Sequence, residues 1–364
     1  MRGRGSYFRA AIEQMAGYVP GEQPKGGGFV KLNTNENPYP PSPRVIEAIH
    51  RVAGDGLRRY PDPLADEFRA RAADLFGVEP SWILAGNGCD DILTIVTRSF
   101  VGAGDVVRFA YPSYLLYETL TELQQGCVER VAYRDGWGVP PELAVPEDRL
   151  RLLFFPNPHS PSGTLAGTDA IRRLAQSIDV PLVLDEAYAD FAHEHNAGLP
   201  AECENVIVTR TLSKSYSLAG IRLGFAIAEP ALIEGLRKVK DSYNCDTLSL
   251  AAAVAALEDQ SWMRANVEKI GETRARLTEA LRQMDFDVPD SQANFVWCTH
   301  PKRAAQSLFE QLRDRKVLVR YMNFPDWGDG LRISVGTDAE IDRLLEELTT
   351  LVTKPKRGSA VSAR

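Results

Sequence analysis

Between residues 80 and 230 the sequence alternates short apolar runs with segments that have the spacing of amphipathic helices. Runs this apolar have no polar face, so strands formed from them must be covered on both sides. A mostly parallel sheet with helices on both faces meets that requirement, and such sheets bind ligands beyond the carboxyl ends of their strands. The predicted strands are 81–86, 106–110, 151–156, 180–185, 205–210 and 221–228, and the predicted helices between them are 90–100, 114–124 and 168–178.

After residue 230 the pattern changes to longer helices, followed by a shorter series of mixed elements. The sequence predicts helices over 230–240, 247–257, 262–284, 303–315 and 338–352, and strands in NFVWC, VLVR and LRISV. The predicted fold class is α/β, with a mostly parallel central sheet in a large domain flanked by helices, plus a smaller α+β domain. We assign the large domain to 44–240, the small domain to 31–43 and 241–354, an N-terminal arm covering the ligand site to 1–30, and a disordered tail to 355–364.

Charge and composition argue against several classes of function. The net charge of -7 and the pI of about 5.5 give no electrostatic basis for binding nucleic acid. No apolar run approaches the roughly 20 residues that a membrane span requires. The five cysteines are scattered without a CxxC pair, and the histidines of HEH at 193–195 lack a third ligand at a metal-binding spacing. We therefore expect a cytoplasmic protein without disulfides, metal, nucleic acid or membrane partner.

The stretch TLSKSYSLAGIRLGF, residues 211–225, places a single lysine among hydroxyls and small apolar residues. A lone lysine is most often a solvated surface charge. Here the neighbours of Lys214 offer no opposing charge, and a lysine that is kept partly neutral becomes a nucleophile toward aldehydes. Arg222 follows eight positions later; its guanidinium suits a phosphate, to which Ser213 could add a hydroxyl contact. Lysine and arginine together suggest pyridoxal 5′-phosphate (PLP), an aldehyde that carries a phosphate.

A PLP site also requires a carboxylate, because the ring withdraws electrons only while its nitrogen stays protonated. Asp185 ends the apolar strand of VPLVLDEAYADF, where ligand-facing residues are expected. Glu186 is expected on the other face of the sheet, so Asp185 is the better candidate. Tyr188 is placed to donate to the phenolic oxygen of the cofactor. Taken alone, Asp185 is equally compatible with a helix N-cap after a strand.

Three further stretches contain candidate cofactor ligands. In AGNGCDDILTIV, a glycine turn opens a helix whose amides at Cys89 and Asp90 would face an anion, although GNG alone is a weak signal. Asn157 follows the apolar strand of LLFFPNPHSPSGT, where prolines fix a turn that would hold its amide toward the cleft. The same residues also suit an ordinary loop. Tyr114 in YPSYLLY could stack on the ring or pack in the core.

Together these stretches resemble the fold-type I PLP-dependent aminotransferases, and more closely the histidinol-phosphate aminotransferases. The resemblance runs from YVPGEQP near the start to LRISVGT at 331–337 and so covers nearly the whole chain. The motifs that carry it are KLNTNENPYPPSP, RRYPDP, GNGCDD, NPHSPSGT, DEAYADF, TLSKSYSLAGIRLGF, VLVRYM and LRISVGT. The chain departs from the family at Cys89, where Ser or Ala is more usual, at Asp91, where Glu is, and at HSPSG in place of NNPTG. We expect little effect at Cys89, because backbone amides provide the phosphate contacts there.

The resemblance implies a role for each candidate residue. Lys214 binds the cofactor aldehyde as a Schiff base and Asp185 pairs with the ring nitrogen, so both are catalytic. The other implied cofactor ligands are Asn157 and Tyr188 at the phenolic oxygen, Tyr114 on the ring, Ser213, Arg222 and the amides of Cys89 and Asp90 at the phosphate, and Tyr60 at the phosphate of the opposite subunit. The Tyr60 contact implies a homodimer. The implied substrate ligands are Asn35, Arg332 at the α-carboxylate, and Tyr18 and Arg320 at the distal phosphate.

The implied reaction is the transamination of L-histidinol phosphate with 2-oxoglutarate, which gives imidazole acetol phosphate and glutamate and belongs to histidine biosynthesis. An aromatic amino-acid aminotransferase would share almost every residue named above. A threonine-phosphate decarboxylase is a more distant alternative, with the same cofactor and a phosphorylated substrate. The sequence leaves the choice of amino donor open among these activities.

Overall fold

A computed structural model of the protein describes residues 7–15, 17, 21–24, 26–134 and 136–353. The strands in these residues are β1 (Val30–Lys31), β2 (Ile83–Gly86), β3 (Val106–Tyr111), β4 (Cys127–Ala132), β5 (Leu150–Pro156), β6 (Leu182–Asp185), β7 (Val206–Thr211), β8 (Gly224–Ala228), β9 (Phe295–Cys298), β10 (Val317–Leu318), β11 (Arg320–Phe324) and β12 (Gly328–Ser334). The α-helices there are α1 (Ala10–Gln14), α2 (Pro43–Val52), α3 (Asp66–Phe76), α4 (Cys89–Phe100), α5 (Leu116–Leu123), α6 (Thr168–Gln176), α7 (Pro230–Arg237), α8 (Thr247–Leu257), α9 (Gln260–Gln283), α10 (Ala305–Asp314) and α11 (Asp338–Thr353). Two predictions, the role of Tyr18 and the tail at 355–364, lie outside the described residues.

The central sheet is mostly parallel, which confirms the predicted fold class. Within the described residues its strand order is β2-β8-β7-β6-β5-β3-β4, and β8 runs in the opposite direction to the other six strands. Six of these strands were predicted from apolar runs. The sequence does not predict β4, because this edge strand is half-exposed and reads CVERVA rather than as a continuous apolar run.

Alternate residues of the central sheet point into two separate cores. In β6, Leu182 and Leu184 pack in a core with α3, α6 and α8, whereas Val183 packs in a core with α4, α5 and α7. Because both faces are covered, the strands can carry nearly continuous apolar runs, and the helical segments between them bury one face each.

The C-terminal elements form a smaller antiparallel sheet in the order β11-β12-β9, backed by α9, α10 and α11. The segment VLVR, which was predicted as one strand, is divided between β10, which pairs with β1, and the start of β11. Trp297 and Phe324 of the smaller sheet pack in the core that contains Val183. The two sheets therefore share apolar contacts, and the domain boundaries given above remain a prediction.

The carboxyl ends of β5, β6 and β7 lie side by side and bring several chain turns together. Asp185 lies opposite Pro156 on one side and Thr209 on the other. β8 then returns antiparallel to β7, with Gly224 opposite Thr211. The connection between these two strands, residues 212–223, therefore begins and ends at the same edge of the sheet.

Candidate active site

A cleft of about 540 Å³ opens at the carboxyl ends of β5, β6 and β7, beside β11 and β12 of the smaller sheet. Gly21 and Gln23 of the N-terminal segment also line it. Eleven residues that the sequence singles out line this cleft together: Asn35, Cys89, Asp90, Tyr114, Asp185, Tyr188, Ser213, Lys214, Arg222, Arg320 and Arg332. Asn157 and Tyr60 do not line it.

Lys214 lies half-buried in the connection between β7 and β8. Its Nζ is 5.8 Å from the centroid of the Tyr188 ring. The structure gives this Nζ no hydrogen bond or ion pair with any described residue. Its amine is therefore not committed to a protein partner and is available to an aldehyde in the cleft.

Asp185 is the last residue of β6 and its side chain is buried. Burial raises the pKa of Asp185 to about 6, even though hydrogen bonds from Tyr117, the Ala187 amide and Thr209 act in the opposite direction. A cation beside this carboxylate would favour its ionised form. Glu186 lies on the other face, where Arg210 Nη1 donates to its Oε2 over 2.9 Å.

Tyr117 is a residue of the site that the sequence interpretation missed. It is fully buried in α5, and its Oη donates to Asp185 Oδ2 over 2.8 Å. Its ring stacks on Phe154 of β5, with centroids 4.5 Å apart. The available signal was its position three residues after Tyr114, which places both rings on the same side of a helix start.

Two glycines allow the start of α4 to approach β8 closely. A Cβ at Gly224 would lie 2.5 Å from the backbone nitrogen of Cys89. Gly88 has a φ of 87°, and a Cβ there would lie 2.6 Å from Arg222 Nη2. The first amides of a helix have no intrahelical acceptor, and Gly88 supplies no side-chain cap. The amides at Cys89 and Asp90 are therefore open to an anion, and they lie next to the Arg222 guanidinium.

Hydrogen bonds and a charge contact around this helix start hold Arg222 and Cys89 in place. Arg222 Nη1 donates to Ser213 Oγ over 3.4 Å, and its Nη2 lies 3.6 Å from Asp90 Oδ2. The thiol of Cys89 donates to the Arg210 carbonyl over 3.2 Å, and burial raises the pKa of this thiol well above its ordinary value. Cys89 thus stays a neutral thiol that faces β7.

Asn157 and Tyr114 occupy different positions relative to the cleft. Asn157 Nδ2 donates to the Ala166 carbonyl over 3.0 Å, and its Oδ1 accepts from the Ala166 amide over 2.8 Å. Its side chain closes its own loop, so only one Nδ2 hydrogen is left for another acceptor. Tyr114 lines the cleft, where its Oη donates to Asp90 Oδ1 over 3.2 Å.

Asn35 connects Tyr188 to the smaller sheet. Its Nδ2 donates to Tyr188 Oη over 3.0 Å, and its Oδ1 accepts from Ser334 Oγ over 2.8 Å. Asn294 Nδ2 donates to its carbonyl over 3.0 Å. Asn35 is only 1% exposed, so its contacts within the protein place Tyr188 at the cleft.

Arg320 and Arg332 lie directly opposite each other on the antiparallel strands β11 and β12. Both line the cleft. Arg332 Nη1 donates to Ser160 Oγ over 3.4 Å, and its guanidinium lies 5.3 Å from the centroid of the Phe295 ring. Two guanidinium groups therefore lie at this end of the cleft.

Tyr60 does not line the cleft; 81% of its surface is exposed, and its ring stacks on that of Tyr243 with centroids 4.5 Å apart.

His193 of the HEH segment contacts Gln292 Oε1 over 3.2 Å. Among the residues that the structure describes, no group of three or more His, Cys, Asp or Glu could hold a metal ion. No helix in this same part of the chain is long and apolar enough to cross a membrane.

The residues at the cleft fit PLP in the chemistry they offer. Lys214 suits the aldehyde and Asp185 the ring nitrogen, while Ser213, Arg222 and the open start of α4 suit the phosphate. The combination of an uncommitted amine, a buried carboxylate and an uncapped helix start within one cleft is what this cofactor requires.

Comparisons with known proteins agree with this chemistry. The family model "Aminotransferase class I and II" matches residues 28–348. The chain is 52% identical over 336 residues to the histidinol-phosphate aminotransferase of Rhodopirellula baltica, covering 92% of this chain and 93% of that protein. It is 46% identical to histidinol-phosphate aminotransferase 1 of a Nostoc species, covering 95% and 98%.

Solved structures show the same fold. Histidinol-phosphate aminotransferase from Sinorhizobium meliloti, solved in complex with PLP, superposes with a TM-score of 0.84 at 26% identity and covers 96% of this chain and 98% of its own. An aspartate aminotransferase mutant from Thermus thermophilus has a TM-score of 0.80 at 22% identity and covers 96% and 100%. The second likeness concerns the fold alone.

Proposed function

Because the chain belongs to the class I and II aminotransferases, a PLP-dependent family, we propose that it transfers the amino group between L-histidinol phosphate and 2-oxoglutarate. The products are imidazole acetol phosphate and glutamate, and the physiological direction is the reverse, toward histidine biosynthesis. The names of the curated relatives support this substrate, since they cover nearly the whole chain at 46–52% identity.

The observation in the structure that favours this substrate is the pairing of Arg320 with Arg332 at the cleft. Histidinol phosphate brings a phosphate close to its amine-bearing carbon, and glutamate brings two carboxylates. Guanidinium groups bind both kinds of anion through two parallel hydrogen bonds, so one pair of arginines can serve both substrates.

The residues of the cleft divide the chemistry among them. When bound, PLP supplies an aldehyde that accepts the amino group and a ring that takes up the electron pair left at the substrate Cα. Asp185 keeps the ring nitrogen protonated, and Tyr117 holds one oxygen of that carboxylate. Lys214 Nζ removes the Cα proton as a general base and returns a proton as a general acid. Arg222 and the start of α4 hold the phosphate throughout both half-reactions.

The roles of Asn157 and Tyr188 at the phenolic oxygen are part of this proposal. Tyr188 Oη accepts from Asn35 and so keeps its own hydrogen for another acceptor. Asn157 offers the second hydrogen of its Nδ2. Tyr114 lies at the cleft beside Asp90 and is the aromatic available to the ring.

We also propose a homodimer in which Tyr60 reaches the cofactor phosphate of the partner subunit. Tyr60 does not line the cleft of its own subunit, and exposed apolar side chains that a partner would cover stack on it or are close to it in the sequence. These are Leu57, Leu64 and Tyr243, which are 57%, 41% and 48% exposed. A cytoplasmic location also belongs to the proposal, since the five cysteines are all unpaired.

A substrate comparison tests the proposed function. PLP-loaded protein is assayed with 2-oxoglutarate and, separately, L-histidinol phosphate, phenylalanine or tyrosine, and glutamate formation is measured. We expect the highest kcat/KM with histidinol phosphate. A higher kcat/KM with an aromatic amino acid would replace the proposal by an aromatic aminotransferase, and release of CO2 from L-threonine O-3-phosphate would replace it by a decarboxylase.

A further inference from the structure

The position of Lys214 is set by its main chain, because no described residue bonds to its Nζ. The Lys214 carbonyl accepts a hydrogen bond from the Ser217 amide over 3.4 Å, which is long for such a bond. Residues outside the 212–223 connection also contact this turn.

Asn37 provides such contacts from the NENP segment. Its Nδ2 donates to the carbonyl of Lys214 over 3.0 Å and to the carbonyl of Ser215 over 3.1 Å. Its Oδ1 accepts from the Tyr39 amide over 3.0 Å, so the carboxamide is fixed in orientation. Asn37 does not line the cleft and cannot act there directly. Its Nδ2 therefore contacts two successive carbonyls of the turn that carries Lys214.

A buried charge network holds the same turn through the Ser215 side chain. Ser215 Oγ donates to Asp190 Oδ2, and Asp190 also accepts from Arg210 Nη2. Arg210 is 4% exposed and donates in turn to Glu186, whose side chain is buried. Since buried charges must be paired to be tolerated, this network is a rigid anchor for Ser215.

From these contacts we infer that Asn37 is a positioning residue for Lys214, acting together with the Ser215–Asp190 hydrogen bond. The two contacts fix the main chain at positions 214 and 215 and leave the lysine side chain to move. The inference rests on the proposed role of Lys214 as the residue that bonds to the cofactor aldehyde. In that bond the amine nitrogen joins the aldehyde carbon, and the aldehyde oxygen leaves as water.

Comparing the affinities for two related cofactors tests whether Asn37 acts through the bond between Lys214 and the aldehyde. Pyridoxamine 5′-phosphate has the same ring and phosphate as PLP but carries an amine in place of the aldehyde, so it cannot bond to Lys214. We expect Asn37→Ala to lower the affinity of the apoprotein for PLP on the order of tenfold, because two hydrogen bonds are lost. The affinity for pyridoxamine 5′-phosphate should stay within about twofold of wild type, since its ring and phosphate contacts are unchanged. Borohydride reduction followed by mass spectrometry gives a second readout, and we expect slower fixation of PLP to Lys214.

Asn205→Ala is the matched control. Asn205 also donates from Nδ2 to backbone carbonyls, those of Ala175, Ile178 and Val180, but it precedes the opposite end of β7. This variant should leave both affinities unchanged. Ser215→Ala should shift the two affinities as Asn37→Ala does, and Asn37→Ser replaces Asn37→Ala if that variant does not fold.

Equal losses of affinity for both cofactors in Asn37→Ala and Ser215→Ala, or no loss in either, would overturn the inference. A different failure would concern Lys214 itself. If Lys214→Ala binds PLP and pyridoxamine 5′-phosphate with the same ratio of affinities as wild type, the lysine makes no bond to the aldehyde. The proposed function then fails, and the inference fails with it.

Discussion

Tyr117 Oη and Asp185 Oδ2 lie 2.8 Å apart in a position where both side chains are buried. This hydrogen bond stabilises an ionised carboxylate that burial disfavours, and a bond to a charged group contributes about 1.5–3 kcal/mol. We expect Tyr117→Phe to weaken binding of PLP and of pyridoxamine 5′-phosphate equally, by roughly ten- to a hundredfold, because both need the ionised carboxylate. Fluorescence titration of the apoprotein measures both affinities.

Tyr133→Phe is the control for the loss of a buried tyrosine hydroxyl. Tyr133 is 6% exposed, and its Oη has no hydrogen-bond partner among the described residues. Its variant should therefore bind both cofactors as wild type does. Unchanged affinities in Tyr117→Phe would show that the tyrosine is only a packing residue.

The raised pKa of Asp185 predicts a pH-dependent cost to the stability of the apoprotein. The pKa is about 6 in the folded protein against an ordinary value of 3.8, so the folded state binds the proton more tightly. Stability therefore falls as pH rises from about 4 to about 6, by about 3 kcal/mol in total, and stays lower above that range. Asp185→Asn should remove this slope and make the apoprotein more stable than wild type at pH 7.5, while cofactor affinity falls.

Urea denaturation of both apoproteins at pH 4 and pH 7.5 measures this difference. Taking the difference between the two proteins cancels the titration of every other carboxylate. A wild-type apoprotein as stable as Asp185→Asn at pH 7.5 would contradict a raised pKa at this position.

The arginine pair predicts a substrate-dependent effect of Arg320→Gln. A lost charged contact to a phosphate costs about 2–4 kcal/mol, so kcat/KM for histidinol phosphate should fall by roughly thirty- to a thousandfold. The loss with phenylalanine should be much smaller, because phenylalanine carries no phosphate and its single carboxylate can be bound by Arg332. Steady-state kinetics with both amino donors decide the point. Equal losses on the two substrates would remove the role of Arg320 in recognising phosphate.

The close approach of α4 to β8 predicts that Gly224→Ala disrupts the phosphate site. The added Cβ would lie 2.5 Å from the Cys89 nitrogen and 2.7 Å from the Gly88 carbonyl carbon, so the helix start must move. We expect PLP affinity to fall by more than about tenfold, as helix-start amides act only at hydrogen-bond distance. Gly220→Ala, in the same connection but with no atom within 4 Å of its added Cβ, should bind PLP normally. Equal affinities of the two variants would argue against a role of the helix start.

The proposed homodimer predicts complementation between two impaired subunits. Mixing Tyr60→Phe with Lys214→Ala subunits would place an intact Tyr60 and an intact Lys214 at one site of each hybrid dimer. Random exchange should restore roughly one quarter of wild-type activity, since half of the dimers are hybrids with one site each. Activity is measured before and after unfolding and refolding the mixture. No gain of activity, with exchange verified by a mass tag, would show that the sites are not shared.

Sequence reasoning located the cleft because strand ends are visible in a sequence. Lys214 and Asp185 each follow an apolar run, and the rule that ligands bind beyond such ends brings them together. Asn157 obeys the same rule, but its carboxamide closes on Ala166, nine residues further on, instead of opening into the cleft. The rule predicts that a residue lies at the carboxyl end of a strand, but it does not predict which hydrogen-bond partner its side chain has.

Contacts between distant segments could not be predicted. The hydrogen bond from Tyr117 to Asp185 spans 68 residues, and that from Asn37 to Lys214 spans 177. Both depend on how strands are ordered and on where helices cross, and no local pattern carries that information. The opposition of Arg320 and Arg332 likewise requires the register of β11 and β12, whereas the sequence predicted VLVR as one strand and did not separate Arg320 into β11.

The antiparallel return of β8 brings the two ends of residues 211–224 together at the carboxyl end of β7. Leu212 donates its amide to the Leu223 carbonyl over 3.1 Å and so ties the two ends together just before the strands begin. Because Lys214 and Arg222 both lie in this connection, the spacing between them does not depend on the length of any other loop. An insertion between Lys214 and Arg222 would separate these two proposed cofactor ligands. Insertions in the other loops of the sheet would leave the spacing between them unchanged.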